Sequence, residues 1–235
     1  MPNVIHGRNA VLEAARAGRV LRAYQASGLG HDPRLEELAR LTQVQTVPPE
    51  RIDAMAPGVN QGVAAELKPR REWSLRELLA TGPTLLVALD SILDPQNLGA
   101  ILRSAEVAGA DGAILPEHRS APLSPAAVKA SSGASELMPI ARVSGMPSAI
   151  AEVKRAGLWC AALDVRGDTW AWDFDLAQPV CVVVGGEGKG VTRLVLDRCD
   201  VRLKLPVRGK IGSLNASAAA AALLYEVSRQ RSKGD

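Results

Sequence analysis

The chain has 235 residues, of which 47% are hydrophobic and 23% charged, and its net charge is +3. This composition suits one large domain or two modest ones with buried cores, and it argues against disorder over most of the length. No apolar run reaches the roughly 18 residues of a membrane span, and the amino terminus lacks the apolar stretch of a signal peptide. We therefore expect a soluble, cytoplasmic protein that does not bind membranes.

The spacing of cysteine and histidine argues against disulfides and metal catalysis. Cys160, Cys181 and Cys199 lie 21 and 18 residues apart, which fits neither a disulfide framework nor a zinc site. The three histidines are scattered and complete no metal-ligand spacing. We expect buried thiols and no metal cofactor.

Short helical and strand patterns alternate near the amino terminus. They predict helices over 9–17 and 33–41 and strands over 22–27, 45–47 and 62–67. The charged stretch Lys68-Pro69-Arg70-Arg71-Glu72 then interrupts the apolar pattern. This order predicts a small α/β domain over 1–68 and a linker over 69–82.

The remaining residues, 83–235, alternate apolar runs with helical patterns. The run 85–89 is apolar throughout and too short for a helix, which is typical of a strand buried on both faces of a parallel sheet. Similar patterns predict strands over 112–115, 158–163, 180–184 and 201–205, and helices over 97–108, 146–156, 192–199 and 214–231. The prediction is an α/β domain with a mainly parallel sheet and ligands at the carboxyl ends of its strands.

Basic residues are concentrated near the carboxyl terminus. Seven cations fall between Arg202 and Lys233, where Glu226 is the single acidic residue, so this segment carries +6. Such a density favours a phosphate-rich partner, although a solvated basic helix end gives the same pattern. Aromatic residues make up only 3% of the chain, which disfavours RNA binding on a sheet of stacked aromatic rings.

Three loops that follow predicted strands are rich in Gly, Pro, Asn and Ser: 94–99, 185–190 and 206–215. The middle loop is not a Walker A motif, because Gly190 follows Lys189. It is not a Rossmann fingerprint either, because Val191 stands where the third glycine belongs. It is either a site where backbone approaches a ligand closely or a tight structural turn.

The first and third loops each precede a predicted helix. Asn97 and Arg103 are about 120° apart around the first helix, close enough to flank one cleft. Ser213 and Asn215 stand before the alanine-rich stretch 216–222, which suggests a closely packed helix. Taken alone, Asn97, Ser213 and Asn215 are equally compatible with helix caps, and Arg103 with a solvated surface charge.

In this order and spacing, the three loops resemble the three motifs of the SpoU family of RNA ribose 2′-O-methyltransferases, part of the SPOUT superfamily. The first match is LDSILDPQNLGAILRSA over 89–105, and the second is VVGGEGKG over 183–190. The third runs from Leu205-Pro206 to Ser213-Leu214-Asn215-Ala216-Ser217. The likeness covers about residues 84–231, and three ordered matches within one α/β domain form a specific signal.

The amino-terminal part is similar to the substrate-binding domain often attached to this family. His6-Gly7-Arg8-Asn9-Ala10-Val11 resembles the opening of that domain. Asn60-Gln61-Gly62-Val63 resembles its closing His-Gln-Gly-Val, with Asn60 in place of the usual histidine. The resemblance implies a ribosomal-protein-like RNA-binding fold over 1–68.

For the carboxyl-terminal domain the resemblance implies a deep trefoil knot that binds S-adenosylmethionine, without a metal. Gly185, Leu205 and Leu214 would hold this methyl donor, largely through backbone groups. Close backbone packing in the knot would explain Gly185, Gly186, Gly209 and Gly212. Family members are usually homodimers with the active site near the subunit interface, so we expect a dimer.

The resemblance also assigns the reacting groups. Arg103 matches the arginine that activates the ribose hydroxyl, either as a base or as a cation that stabilises the developing alkoxide. Asn97, Glu187, Ser213 and Asn215 match residues that shape the site. The candidates for RNA phosphate contacts are Arg8, Lys189, Arg208 and Lys210.

The architecture most resembles enzymes that methylate a guanosine of large-subunit (23S) ribosomal RNA. Two other functions stay open: a tRNA ribose 2′-O-methyltransferase, and a non-catalytic RNA-binding factor in ribosome assembly. A different ribosomal RNA position stays open too, because RNA is selected by shape over a whole surface.

Overall fold

The computed structural model describes residues 3–69 and 71–232. Its first sheet has four strands: β1 (Asn3–His6), β2 (Val20–Ala26), β3 (Val44–Val47) and β4 (Val63–Leu67). Three helices accompany them: α1 (Arg8–Arg16), α2 (Pro33–Leu41) and α3 (Pro49–Met55). The strand order is β1-β4-β2-β3, with β2 and β3 parallel and the other pairs antiparallel. The five elements predicted here are confirmed to within two residues, whereas β1 and α3 were not predicted.

The second sheet has seven strands, and all of its neighbouring strands are parallel. They are β5 (Leu85–Asp90), β6 (Gly112–Pro116), β7 (Ile140–Val143), β8 (Trp159–Leu163), β9 (Thr169–Trp170), β10 (Val180–Gly185) and β11 (Val201–Lys204), in the order β7-β6-β5-β10-β8-β11-β9. The predicted α/β class and parallel sheet are therefore confirmed. The knot stays a prediction.

Helices cover both faces of this sheet, and each face has its own apolar cluster. The helices are α4 (Leu75–Ala80), α5 (Pro95–Val107), α6 (Pro125–Ala130), α7 (Ala134–Leu137), α8 (Met146–Arg155), α9 (Arg193–Leu196) and α10 (Ala216–Arg231). Along β5, Leu85, Val87 and Leu89 belong to one cluster, and Leu86 and Ala88 to the other. This is the two-sided burial that the continuous apolar run predicted.

Two predicted features differ from the structure. The helix predicted over 192–199 ends at Leu196 and continues as a turn. The alanine-rich helix α10 buries one face only: Ala216 and Ala220 are buried, whereas Ala218 and Ala222 are exposed. The expectation of close packing therefore holds for the face towards α5.

The thiols are buried as expected, because Cys160 and Cys181 are inaccessible on the neighbouring strands β8 and β10. Burial raises the pKa of the partly buried Cys199 thiol to about 12, so it stays protonated at neutral pH. No helix in the described ranges is long and apolar enough to cross a membrane.

The two sheets are joined by a packed junction. Arg19, before β2, forms a part-buried ion pair with Glu136 of α7. Lys129 of α6 donates from Nζ to the Val59 carbonyl at 3.0 Å, and Val128 is buried in the core of the first sheet. Within the predicted linker, α4 packs on the second sheet, and Arg70 lies outside the described residues. The division at 69–82 stays a prediction.

Candidate active site

A cavity of about 460 Å³ opens at the carboxyl ends of β8, β10 and β11. Its wall comes from the loops after these strands and from the first turns of α10. All three predicted cofactor residues, Gly185, Leu205 and Leu214, lie in this wall. Glu187, Lys189 and Ser213 lie there too, so the cavity brings six of the predicted site residues together.

The loop after β10 leaves no room for side chains at its first two positions. A Cβ on Gly185 would lie 2.0 Å from the backbone carbon of Gly190 and 2.0 Å from the nitrogen of Val191. A Cβ on Gly186 would lie 2.2 Å from the carbonyl oxygen of Ser91. The expectation of close-packed backbone is confirmed at both positions.

The same expectation is wrong for the other two glycines of the motifs. A Cβ on Gly209 or Gly212 would meet no atom within 4 Å. Both lie in the exposed loop between β11 and α10. Glycine density alone did not distinguish a crowded loop from an open one.

Three of the four residues predicted to shape the site form a hydrogen-bonded cluster, and Ser213 is not part of it. Asn97 donates from Nδ2 to Oε1 of Glu187 at 3.0 Å. Asn215 donates from Nδ2 to the same Oε1 at 2.6 Å and to Oδ1 of Asn97 at 3.0 Å. One side chain from each of the three loops therefore meets at this point. These contacts fix the carboxylate of Glu187 at the cavity wall.

Helix capping explains part of this geometry. Asp94, and not Asn97, is the N-cap of α5, because its carboxylate accepts from the backbone N–H groups of Gln96 and Asn97. Asn215 is the N-cap of α10 and also reaches the cluster. Asn215 therefore both caps α10 and belongs to the cluster, whereas the interpretation of Asn97 as a helix cap is wrong.

Asp90, at the end of β5, connects the first two loops and was not among the predicted site residues. Its carboxylate accepts from the backbone N–H of Thr192 at 2.7 Å, and its carbonyl accepts from the N–H of Gly186 at 3.0 Å. Ser91, the next residue, has a left-handed φ of 62°, which is uncommon for a residue other than glycine. The sequence signal that could have identified Asp90 is an acidic residue at the end of an apolar strand.

Arg103 lies apart from the cluster. It is exposed on α5 and is not part of the cavity wall. Within the described ranges it makes no hydrogen bond or ion pair. Its guanidinium is therefore available to a substrate.

The candidate phosphate contacts lie in two different settings. Lys189, Arg208 and Lys210 are exposed on the loops around the cavity. Arg8 is only 24% exposed and pairs with Asp32 at 2.5 Å. Hydrogen bonds from Arg34 and Arg8 hold the pKa of that carboxyl well below its usual range. Arg8 thus stabilises the amino-terminal fold, and its contact with RNA stays a prediction.

The basic carboxyl-terminal segment is not one patch. Arg229 pairs with Glu226, and Arg231 donates to the Thr84 carbonyl at 2.7 Å. Both lie in the last turn of the 16-residue α10, about 20 Å from its start at 1.5 Å per residue. Arg208 and Lys210 lie on the loop that contributes Val207, Ser213 and Leu214 to the cavity wall, Arg202 pairs with Asp197, and Lys233 lies outside the described residues.

Comparison with known proteins assigns the family. The SpoU rRNA methylase family profile matches residues 84–225, and the profile for RNA 2′-O ribose methyltransferase substrate binding matches residues 4–73. The chain belongs to the SpoU rRNA methylase family. It is 38% identical over 91% of its length to the 23S rRNA (guanosine-2′-O-)-methyltransferase RlmB of Pseudomonas aeruginosa, of which it covers 90%.

Two further similarities extend over almost the whole chain. An uncharacterized tRNA/rRNA methyltransferase of Mycolicibacterium vanbaalenii is 41% identical over 97% of this chain and 76% of its own length. The SpoU methyltransferase AviRb of Streptomyces viridochromogenes, crystallised with the cofactor AdoMet, superposes with a TM-score of 0.82 at 28% identity, over 98% of this chain and 91% of its own.

The cavity of this SpoU chain fits S-adenosylmethionine. Its volume falls in the range of small-molecule sites, about 300–1,000 Å³. Apolar groups such as Leu163, Val184 and Leu205 alternate in the wall with the carboxylates of Asp164 and Glu187, which suits a flat adenine and a cationic sulfonium. In the described structure, the backbone N–H groups of 207–214 make no backbone hydrogen bond, so they are free to bind the donor. Among the described residues, no group of three or more His, Cys, Asp or Glu could hold a metal.

Proposed function

We propose that this protein transfers a methyl group from S-adenosylmethionine to the ribose 2′-hydroxyl of a guanosine in 23S ribosomal RNA, in the cytoplasm. The observation that carries the proposal is the convergence of the three loops on one cavity, with Asn97, Glu187 and Asn215 hydrogen-bonded at its wall. The similarity to RlmB over nine-tenths of both chains supports the substrate.

Different residues of the chain bind the donor and orient the acceptor for an in-line methyl transfer. When bound, S-adenosylmethionine would supply an electrophilic methyl on its sulfonium and leave as S-adenosylhomocysteine. Gly185, Leu205 and Leu214 hold the donor. The carboxylate of Glu187, which accepts hydrogen bonds from two side-chain amides, places a negative charge near the cationic sulfonium. Ser213 lines the same cavity and orients the acceptor.

Arg103 acts on the acceptor side. Arginine is a poor base in ordinary protein settings, and this one is exposed. Its role in the proposal is to bind the phosphate next to the target ribose and to stabilise the negative charge that develops at the 2′-oxygen while solvent takes up the hydroxyl proton.

Residues 1–68 form the RNA-binding domain in this proposal, joined by a linker over 69–82 to the methyltransferase domain over 83–235. Lys189, Arg208, Lys210 and Arg8 bind phosphates. We also propose a homodimer with a knotted carboxyl-terminal domain. Exposed apolar side chains on the packed pair α5 and α10, Val107 at 60% and Tyr225 at 58%, support an interface there. A molecular mass of a monomer at every concentration would contradict the dimer.

The decisive experiment supplies radiolabelled S-adenosylmethionine to unmodified 23S ribosomal RNA and, in parallel, to bulk unmodified tRNA. We expect label on the ribosomal RNA alone. Arg103→Ala should abolish transfer while donor binding, measured by calorimetry, survives. Near-wild-type turnover by this variant would remove Arg103 from the mechanism.

The two alternatives give different results in the same assay. Label on tRNA alone would keep the chemistry and change the substrate, which agrees with the name tRNA/rRNA methyltransferase of the Mycolicibacterium relative. Absence of donor binding would favour the non-catalytic assembly factor. The intact cluster of Asn97, Glu187 and Asn215 argues against that outcome.

A further inference from the structure

The amino-terminal unit, formed by β1–β4 and α1–α3, meets the second sheet at a junction made by the short helices α6 and α7. Strand β1 contacts α6, and α1 contacts α7. Val128 of α6 is 2% exposed and belongs to the apolar core of the first sheet. The profile for substrate binding covers residues 4–73. The junction therefore joins the part of the chain assigned to RNA binding to the part that contains the cofactor cavity.

An ion pair crosses this junction in a buried position. Arg19, in the turn before β2, pairs with Glu136 of α7. The side chain of Arg19 is 12% exposed, and that of Glu136 is 0% exposed. Arg19 also donates from Nη2 to the carbonyl of Lys68 at 2.7 Å. One guanidinium thus joins α7 to the residue that follows β4.

Two further contacts hold the same parts together. Gly133, which precedes α7, has a φ of +95°, and a Cβ on it would lie 2.3 Å from the Cβ of Glu13 in α1. Lys129 of α6 donates from Nζ to the carbonyl of Val59 at 3.0 Å. The amino-terminal unit is therefore held at three places: on α1, before β2 and before β4.

The two junction helices also contact α5, the helix that carries two of the predicted site residues. A Cβ on Gly99 of α5 would lie 2.5 Å from the carbonyl oxygen of Ala127 and 2.5 Å from the Cβ of Ala130. Helices α5 and α6 are therefore in close contact. Asn97 and Arg103 lie on α5 on either side of Gly99. Two packed helices thus fix the distance from the amino-terminal unit to these site residues.

Stability alone does not explain a buried ion pair at this place. Taking two charges out of water costs free energy, and apolar replacements of such pairs are often neutral or stabilising. Each of the two sheets also has an apolar core to which this pair does not belong. A charged pair requires one relative arrangement of its two partners, whereas apolar contacts are non-directional. The pair therefore suits a role in fixing the arrangement of the two parts.

Resting on the proposed function, we propose that Arg19 and Glu136 are positioning residues that set which ribose of the bound RNA reaches the donor. RNA is selected by shape over a whole surface, and the amino-terminal unit is the part of that surface assigned to substrate binding. When the unit is fixed, a bound RNA element places one ribose beside Asn97 and Arg103. A loosened junction leaves the RNA bound but places that ribose correctly in only a fraction of the complexes.

Methyl transfer to in vitro transcribed 23S ribosomal RNA, with the labelled riboses mapped, tests this role. The double variant Arg19→Met and Glu136→Met replaces both charges by apolar chains of similar size, which should keep the fold. We expect kcat to fall by about ten- to a hundredfold, the scale of a small misplacement, and label to appear at additional riboses. The affinities for RNA and for the donor should stay unchanged. An unchanged kcat with one labelled ribose would overturn the proposal.

Two more variants sharpen this test. The ion pair of Arg16 with Glu37, at 2.7 Å, joins α1 to α2 within the amino-terminal unit, so Arg16→Met with Glu37→Met is the matched control. It should leave kcat and the labelled ribose unchanged, and losses equal to those of the junction variant would overturn the proposal. If the junction variant does not fold, Glu136→Gln decides, because it removes the charge and keeps the size. Additional labelled riboses are expected there too, and a wild-type pattern would contradict the role.

Spin-label distances give a readout that does not depend on turnover. Labels on Glu50→Cys of α3 and Arg155→Cys of α8, both exposed positions, span the junction in a Cys199→Ser background diluted with unlabelled protein. The wild type should give a narrow distance distribution, and the double variant Arg19→Met and Glu136→Met a broad one. Equal widths would overturn the proposal. Absence of methyl transfer by the wild type would refute the proposed function, while the distances would still decide whether the ion pair fixes the junction.

Discussion

Two walls of the cofactor cavity are built in opposite ways. The loop 185–190 is tightly packed, because a Cβ at Gly185 or Gly186 would overlap backbone atoms of Gly190, Val191 or Ser91. The loop 205–214 is largely exposed, and its N–H groups from 207 onwards make no backbone hydrogen bond within the described ranges. One wall is therefore preformed, and the other leaves polar groups for a ligand to satisfy.

The largest expected effect comes from crowding the preformed wall. In Gly185→Ala the new methyl would lie 2.0 Å from two backbone atoms, so the loop must move. We expect loss of measurable S-adenosylmethionine binding by calorimetry and a destabilisation of about 1–3 kcal/mol or more in urea unfolding. Wild-type donor affinity in this variant would show that the loop is adaptable after all, and the contrast between the walls would disappear.

A smaller effect is expected from removing charge on the open wall. Arg208 and Lys210 are exposed there, and we expect them to bind RNA phosphates. The double change to Ala should weaken RNA binding and lower the slope of log affinity against log salt by about 2, roughly one unit per phosphate contact. Donor affinity should stay as it is.

A matched control for this pair is Arg193→Ala on α9. Arg193 is 93% exposed, and its ion pair with Asp197 is long, at 3.8 Å. Its loss should change neither the affinity for RNA nor the salt slope. Equal slopes in the double variant and the wild type would mean that the open wall binds the donor alone.

The fold was predictable where one local signal decides the structure. Five of the seven parallel strands were predicted from apolar runs, and three of these, β5, β6 and β10, are buried on both faces. The unpredicted strands β1, β7 and β9 have four residues or fewer and form because longer neighbours offer them hydrogen bonds. In β7, the exposed Arg142 interrupts the apolar pattern. Such strands depend on tertiary context more than on their own residues.

The site was predictable as a set of residues but not as a geometry. The ordered motifs grouped Gly185, Leu205 and Leu214, and all three line one cavity; their contact with the donor stays a prediction. The motifs did not show that Asn215 reaches both Asn97 and Glu187, because that contact joins residues up to 118 positions apart. The density of basic residues suggested one patch, although the helix predicted over 214–231 already separates Arg231 from Arg208.

The smallest expected effect is the sharpest test of the contrast between the walls. A methyl group added at Gly212 would have open space around it, with no atom within 4 Å, and the φ of Gly212 lies outside the left-handed region. Gly212→Ala should therefore stabilise the fold by about 0.4–1 kcal/mol, because alanine lowers the conformational entropy of the unfolded chain. Donor affinity should change by less than about twofold. Calorimetry of Gly212→Ala, in parallel with Gly185→Ala, measures both the stability and the donor affinity. A large loss of affinity in Gly212→Ala would mean that the open wall closes tightly on the donor, because only a closed wall would leave no space for one methyl group.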